Sequence, residues 1–274
     1  MRNSSTRRVR RVLLILLLLP AAGLRAQSAG LGALATAADS GPLLQADSSP
    51  AVSMPPLGLT GGPTQVGLPY VGVGFGVVAL SSLVDERLRN DLQAHRSAGA
   101  DDVASVFRRM GQPEVYATVG LGTLAVGLVS GNDRITRAGG RITASLLAAG
   151  LVSSSFKEVV GRRRPNAGVE PGSFSPFSGR TSWPSGHATM AFALAASVSD
   201  EIHSTPVAVG LYGAAALTGW SRVNDNKHWL SDVLAGAAIG ITSAKVMSGR
   251  WRVLGLTAPR FLLEPNGVGV SLQF

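Results

Sequence analysis

Residues 221–232 read SRVNDNKHWLSD, a polar stretch set between an apolar run at 205–220 and another that begins at 229 and continues to 247. Two apolar runs of helical length around a short charged connection describe a pair of antiparallel helices with the polar residues at one end. Working outward, four more runs of the same kind fall near 70–84, 114–132, 141–157 and 187–200. Each is long enough for a buried helix and short for a membrane span, which needs ~20 apolar residues. The chain is therefore expected to be all-α, a helical bundle of about six core helices.

Composition agrees with that reading. Apolar residues make up 45% of the 274, charged residues 15% and aromatics only 5%, and there are 34 glycines. Helices rich in Ala, Gly, Val and Leu pack closely, in water or in lipid. Between the first two runs, DERLRNDLQAHRSAGADDVASVFRRM (85–110) is polar and amphipathic and reads as one or two surface helices. The run at 70–84, with its three glycines, is the least span-like of the six.

The two ends differ from the middle. Met1–Ala26 holds six arginines and no acid around the run VLLILLLLP, the layout of a secretory signal peptide with cleavage after Ala26. Without that leader the formal net charge falls from +9 to +3, so the basic balance gives no reason to expect a nucleic-acid partner. Residues 27–66, rich in Pro, Gly, Ser and Ala, read as a flexible linker. The helical domain is expected over 67–248. After Gly249 comes a tail (249–274) in which Pro265-Asn266-Gly267 marks a turn, expected as a short C-terminal β-hairpin. The absence of cysteine rules out disulfide staples and a lipoprotein anchor.

Three clusters carry the chemistry: KEVVGRRRP (157–165), WPSGHATMAF (183–192) and SRVNDNKHWLSD (221–232). Lys157 closes the third apolar run, His187 opens the fourth, Arg222 follows the fifth and His228 opens the sixth. In an up-and-down bundle these four places share one end. Lys157, Arg164 and Arg222 would there supply three cations suited to phosphoryl oxygens. Ser185 and the N–H of Gly186 stand at a helix start, which favours an anion. His228 and Asp232, spaced i and i+4, share a helix face, so the carboxylate can orient the ring and leave its other nitrogen as nucleophile. His187 remains as general acid. Each piece has a plainer reading: a solvated basic loop, a serine helix cap, an ordinary helix pair. His187, His228 and Asp232 as a zinc trio is a further alternative, opposed by the three cations.

The three clusters resemble the three-part motif of the type 2 phosphatidic acid phosphatase superfamily, which includes class A acid phosphatases and vanadium haloperoxidases. Its pattern of K-x6-R-P, P-S-G-H and S-R-x5-H-x3-D is filled in order, and the resemblance covers roughly residues 67–248. It implies an all-α bundle with a phosphate pocket at one end, phosphate bound by Lys157, Arg164, Ser185, Gly186 and Arg222, and catalysis by His228 as nucleophile, His187 as acid and Asp232 as orienting partner. The expected activity is metal- and cofactor-independent hydrolysis of a phosphomonoester or pyrophosphate, with a lipid phosphate as substrate, through a phosphohistidine. Broad periplasmic acid phosphatase, vanadium haloperoxidase and non-enzymatic phosphate- or lipid-binding protein are the alternatives. An exported, membrane-associated protein with a periplasm-facing site follows from the leader and the apolar runs.

Overall fold

Gly186–Ile202 is buried around its whole circumference, as a helix apolar on every side must be, and the fold is arranged about it. The computed structural model describes residues 63–258, 260–264 and 267–271. The expected signal peptide and residues 27–62 of the expected linker lie outside the described residues. In chain order the α-helices are α1 (Leu68–Ser81), α2 (Asp85–Ala94), α3 (Ala98–Met110), α4 (Pro113–Val129), α5 (Asp133–Val160), α6 (Gly186–Ile202), α7 (Thr205–Asn224) and α8 (Leu230–Met247). The polar stretch at 85–110 is thus two helices, α2 and α3.

Local chemistry sets the boundaries. Asn132 caps α5 by accepting from the N–H groups of Arg134 (3.1 Å) and Ile135 (3.2 Å). This cap carries α5 back through the polar turn DRITRAGGR, so the helix starts well before the apolar run expected at 141–157. Gly161, in the left-handed region, ends it. The core gathers Tyr116 and Val119 of α4, Ile142, Leu146 and Ala149 of α5, and Ala193, Leu194, Val198 and Ile202 of α6. α6 and α8 pack at backbone distance: a Cβ on Gly236 would meet the Ser185 carbonyl oxygen at 2.6 Å, and one on Gly240 would run into the Thr189 carbonyl. The glycines there permit helix–helix contact that any side chain would pry apart.

Two observations depart from the sequence reading. α1 buries none of its residues, and Leu68, Tyr70, Val73, Phe75, Val77 and Leu80 are all exposed. Helical structure continues past it through a 3-10 turn at Ser82–Val84, and the Leu68–Ala94 run has the length and apolarity to cross a membrane, with a mean hydropathy of 1.5 over its most apolar window. The segment taken as the least span-like is therefore, among the described residues, the most outward-facing apolar helix. The second departure lies at the edges of the domain. Thr64–Val66 (β1), inside the expected linker, pairs in parallel with Trp251–Val253 (β2), Thr64 opposite Trp251. The tail hairpin is present as β3 (Arg260–Glu264) antiparallel to β4 (Gly267–Ser271).

Candidate active site

Lys157 lies in the last turn of α5, Ser185 caps α6 and Gly186 and His187 open it, Arg222 lies in the last turn of α7, and His228 and Asp232 flank the start of α8. All stand at one end of the bundle. The Nζ of Lys157 donates to the carbonyls of Thr181 (2.9 Å) and Pro184 (2.5 Å). Arg164 donates through Nη2 to Thr181 Oγ1 at 3.2 Å. Arg222 shares the Asp225 carboxylate with Arg108, at 3.1 and 2.9 Å, while its own Nε is buried without a hydrogen-bond partner. A buried guanidinium donor left open is a place for an anion's oxygen.

Ser185 does cap its helix, its Oγ accepting from the Ala188 N–H at 3.5 Å, and it is fully buried. Gly186 sits beside Lys157, since a Cβ there would stand 3.7 Å from Lys157 Cε, an ordinary contact. His187 has Arg222, His228, Arg164 and Lys157 as its interacting charged neighbours. Its ring packs where Gly111, the residue that ends α3, carries no side chain: a Cβ on Gly111 would come within 2.7 Å of His187 Cδ2 and 2.9 Å of Thr218 Cγ2.

His228 is buried and lies in the turn between α7 and α8. Its Nδ1 stands 2.7 Å from the Ser182 carbonyl oxygen and 3.5 Å from Asp232 Oδ2. Because a carbonyl only accepts, Nδ1 carries the proton and Nε2 keeps its lone pair. The carboxylate expected as the acceptor is occupied otherwise: Asp232 Oδ2 accepts from Ser182 Oγ (2.6 Å) and the Trp229 N–H (2.9 Å), and Oδ1 from Arg162 Nη1 (2.6 Å). Asp232 therefore acts on the ring as a nearby fixed charge. Burial pushes His228 below the ordinary histidine pKa, outweighing the opposing pull of Asp232.

Four residues at this end were missed by sequence reasoning. Arg162, inside the basic run, is buried rather than solvated; Ser182 holds both His228 and Asp232; Gly111 leaves the room that the His187 ring fills; and Asp85 pairs with Arg162. Only Arg162 stood within a recognised cluster. A cavity of about 280 Å³ opens among Arg162, Arg163, Arg164, Arg180 and Thr181. Beyond Arg162 lies a larger apolar groove of about 380 Å³ between α1 and the loop before α6, lined by Phe75, Val78, Phe174 and Trp183 among others.

Fold and site together define a helical-bundle protein with a cluster of cations at one end beside a buried histidine and carboxylate. Residues 138–252, which hold all three motifs, match the model of the PAP2 superfamily, as the motif resemblance implied. Two curated relatives are lipid A 1-phosphatases. That of Porphyromonas gingivalis is 37% identical over 107 residues, 38% of this chain and 21% of that protein. That of Rhizobium johnstonii is 34% identical over 128 residues, 45% of this chain and 50% of that protein. The chain thus spans half or less of the length of these relatives. In fold it is similar to a solved transmembrane PAP2 type phosphatidylglycerolphosphate phosphatase from Bacillus subtilis, with a TM-score of 0.51, 18% identity, and coverage of 65% of this chain and 93% of that one.

Proposed function

We propose that the protein is a phosphatase that hydrolyses a lipid phosphate, at a phosphomonoester or diphosphate bond, through a phosphohistidine on His228. The observation that carries this reading is the 2.7 Å bond from His228 Nδ1 to the Ser182 carbonyl, which leaves Nε2 free to attack. Lys157, Arg164 and Arg222 hold the phosphoryl oxygens, with the Ser185 hydroxyl and the Gly186 N–H as further donors. Nε2 attacks phosphorus, the P–N bond forms as the ester P–O bond breaks, and the leaving oxygen takes a proton from His187. Water then attacks phosphorus and gives its proton to His187. The P–N bond breaks with its electrons returning to Nε2, and inorganic phosphate leaves. Asp232 offsets the positive charge the ring carries while phosphorylated. The three side-chain cations stabilise the charge on the transferring group, so turnover is expected in the presence of a chelator.

A lipid substrate and membrane association are supported by the unburied α1, by exposed Leu128 and Val129 on α4 and Leu147 and Leu151 on α5, and by the apolar groove beside Arg162. The names of the curated relatives point the same way. The leader pattern favours the cell envelope, with the site facing the periplasm. The test is phosphate release in chelator from a phosphatidyl or polyprenyl phosphate in detergent and from a water-soluble monoester, with His228→Ala as control. Lipid-selective release lost in the variant is the expected result. Equal turnover of the soluble ester would overturn the lipid assignment, and an active His228→Ala protein would overturn the phosphohistidine.

A further inference from the structure

Arg162 binds no phosphate in the scheme above, yet it is among the most deeply placed charges at this end of the bundle. Its side chain is 3% exposed, between two carboxylates, Asp85 and Asp232, that are each fully buried. Nη2 donates to Asp85 Oδ2 at 2.8 Å, and Nη1 to Asp232 Oδ1 at 2.6 Å and to Ser231 Oγ at 2.7 Å. Nε donates to the Pro171 carbonyl at 2.9 Å. Asp85 also accepts from the Ser231 N–H at 2.9 Å and from its hydroxyl at 2.5 Å. The guanidinium lies against the rings of Phe174 and Trp229, 5.3 and 5.5 Å from their centroids. Each guanidinium nitrogen thus has a protein partner.

The charges matter as much as the bonds. Burying ions costs several kcal/mol each unless they are well partnered, so a structural role alone would be met by a neutral pair of one arginine and one aspartate. Such a pair would cancel Asp232 and leave the phosphorylated His228 ring without a counter-charge. Asp85 restores the balance: one guanidinium between two carboxylates leaves a single net negative charge beside the histidine. We propose that Asp85 and Arg162 are positioning residues for phosphoryl transfer, Arg162 clamping Asp232 in place and Asp85 preventing that clamp from neutralising it. The inference rests on His228 being the nucleophile.

The charged and titratable groups around His228 are Asp232 on α8, Lys157 on α5, Arg164 beyond it and His187 on α6; only Asp232 is negative, so it is the one group there that favours the charged ring against burial and the cations. The test is the acid limb of the kcat/KM–pH profile, which reports the base of the free enzyme. Asp85→Asn takes the net charge of the trio to zero, which disfavours the protonated ring: the limb should move down by about one pH unit while kcat falls at least ten-fold and KM stays within two-fold. Arg162→Gln leaves two negative charges and should move the limb up. The double variant Asp85→Asn/Arg162→Gln restores a single negative charge, so its limb should return to the wild-type position, a rescue that a purely structural role would not produce. The double variant also keeps the test open if Asp85→Asn alone fails to fold. Limbs that shift in the same direction in both single variants, or that do not move, would overturn the proposal. If His228→Ala is inactive while Asp85→Asn turns over as wild type, the positioning role fails and the phosphohistidine stands; an active His228→Ala removes the basis of both.

Discussion

Helix α6 reaches both ends of the bundle, and the two ends use the same residue types differently. At its C-terminal end Asp200 accepts from Lys245 Nζ at 2.6 Å and lies 3.3 Å from Arg250 Nε. Glu201 holds Arg141 through two bonds, at 2.6 and 2.8 Å, and His203 Nε2 takes Arg250 Nη2 at 2.9 Å. Each cation there meets a carboxylate. At the N-terminal end, among the described residues, Lys157 and Arg164 have carbonyl and hydroxyl partners and no carboxylate within salt-bridge distance. A cation bonded to a carboxylate has its field largely cancelled, whereas one held by neutral oxygens keeps it for an incoming anion. The proposed phosphate site draws on the second arrangement in Lys157 and Arg164, whereas Arg222 at the same end shares Asp225 with Arg108 and offers its open Nε.

The contrast can be broken most sharply with the two histidines. His228→Ala should lower kcat by about four orders of magnitude or more, and His203→Ala should leave it within two-fold in the same phosphate-release assay. A comparable loss in both would mean that the ends are not functionally distinct. Next in size is Gly111→Ala, whose Cβ must displace the His187 ring. We expect about a ten-fold fall in kcat for an alkyl phosphate, and little change for an ester with a strongly acidic leaving group, which needs no protonation. An equal fall for both esters would place the damage elsewhere than on the acid. The smallest kinetic effect belongs to the far end. Asp200→Asn strips Lys245 and Arg250 of their counter-charge and should cost about 2 kcal/mol of stability, toward the low side because both cations are partly solvated. That corresponds to a Tm lower by about 5 °C, with kcat per folded molecule unchanged.

Much of the site was legible because each motif is local. Helical periodicity put Lys157, His187, Arg222 and His228 at alternate ends of successive helices, and an up-and-down bundle brings such ends together whatever the details of packing. What failed to show was everything set by pairing across long separations. Asp85 meets Arg162 across 77 positions and Ser231 across 146, and nothing in DERLRND or GRRRP announces it. The i, i+4 spacing of His228 and Asp232 suggested a direct bond, but the loop before α6 brings the Ser182 carbonyl closer to the ring and spends the carboxylate on other donors.

The same division holds for the whole chain. The sequence alone determined the all-α class, the order of the apolar helices and which motifs fall at one end of the bundle, because hydrophobic periodicity and helix-end chemistry act over a few turns. Only the tertiary structure decided that the helix at 68–81 faces outward, that Thr64–Val66 pairs with Trp251–Val253, and that Asp232 is clamped by Arg162 and Asp85. Burial and charge balance depend on which surfaces come together in space, and an apolar or charged residue reads the same in sequence whether its neighbour is protein, lipid or water.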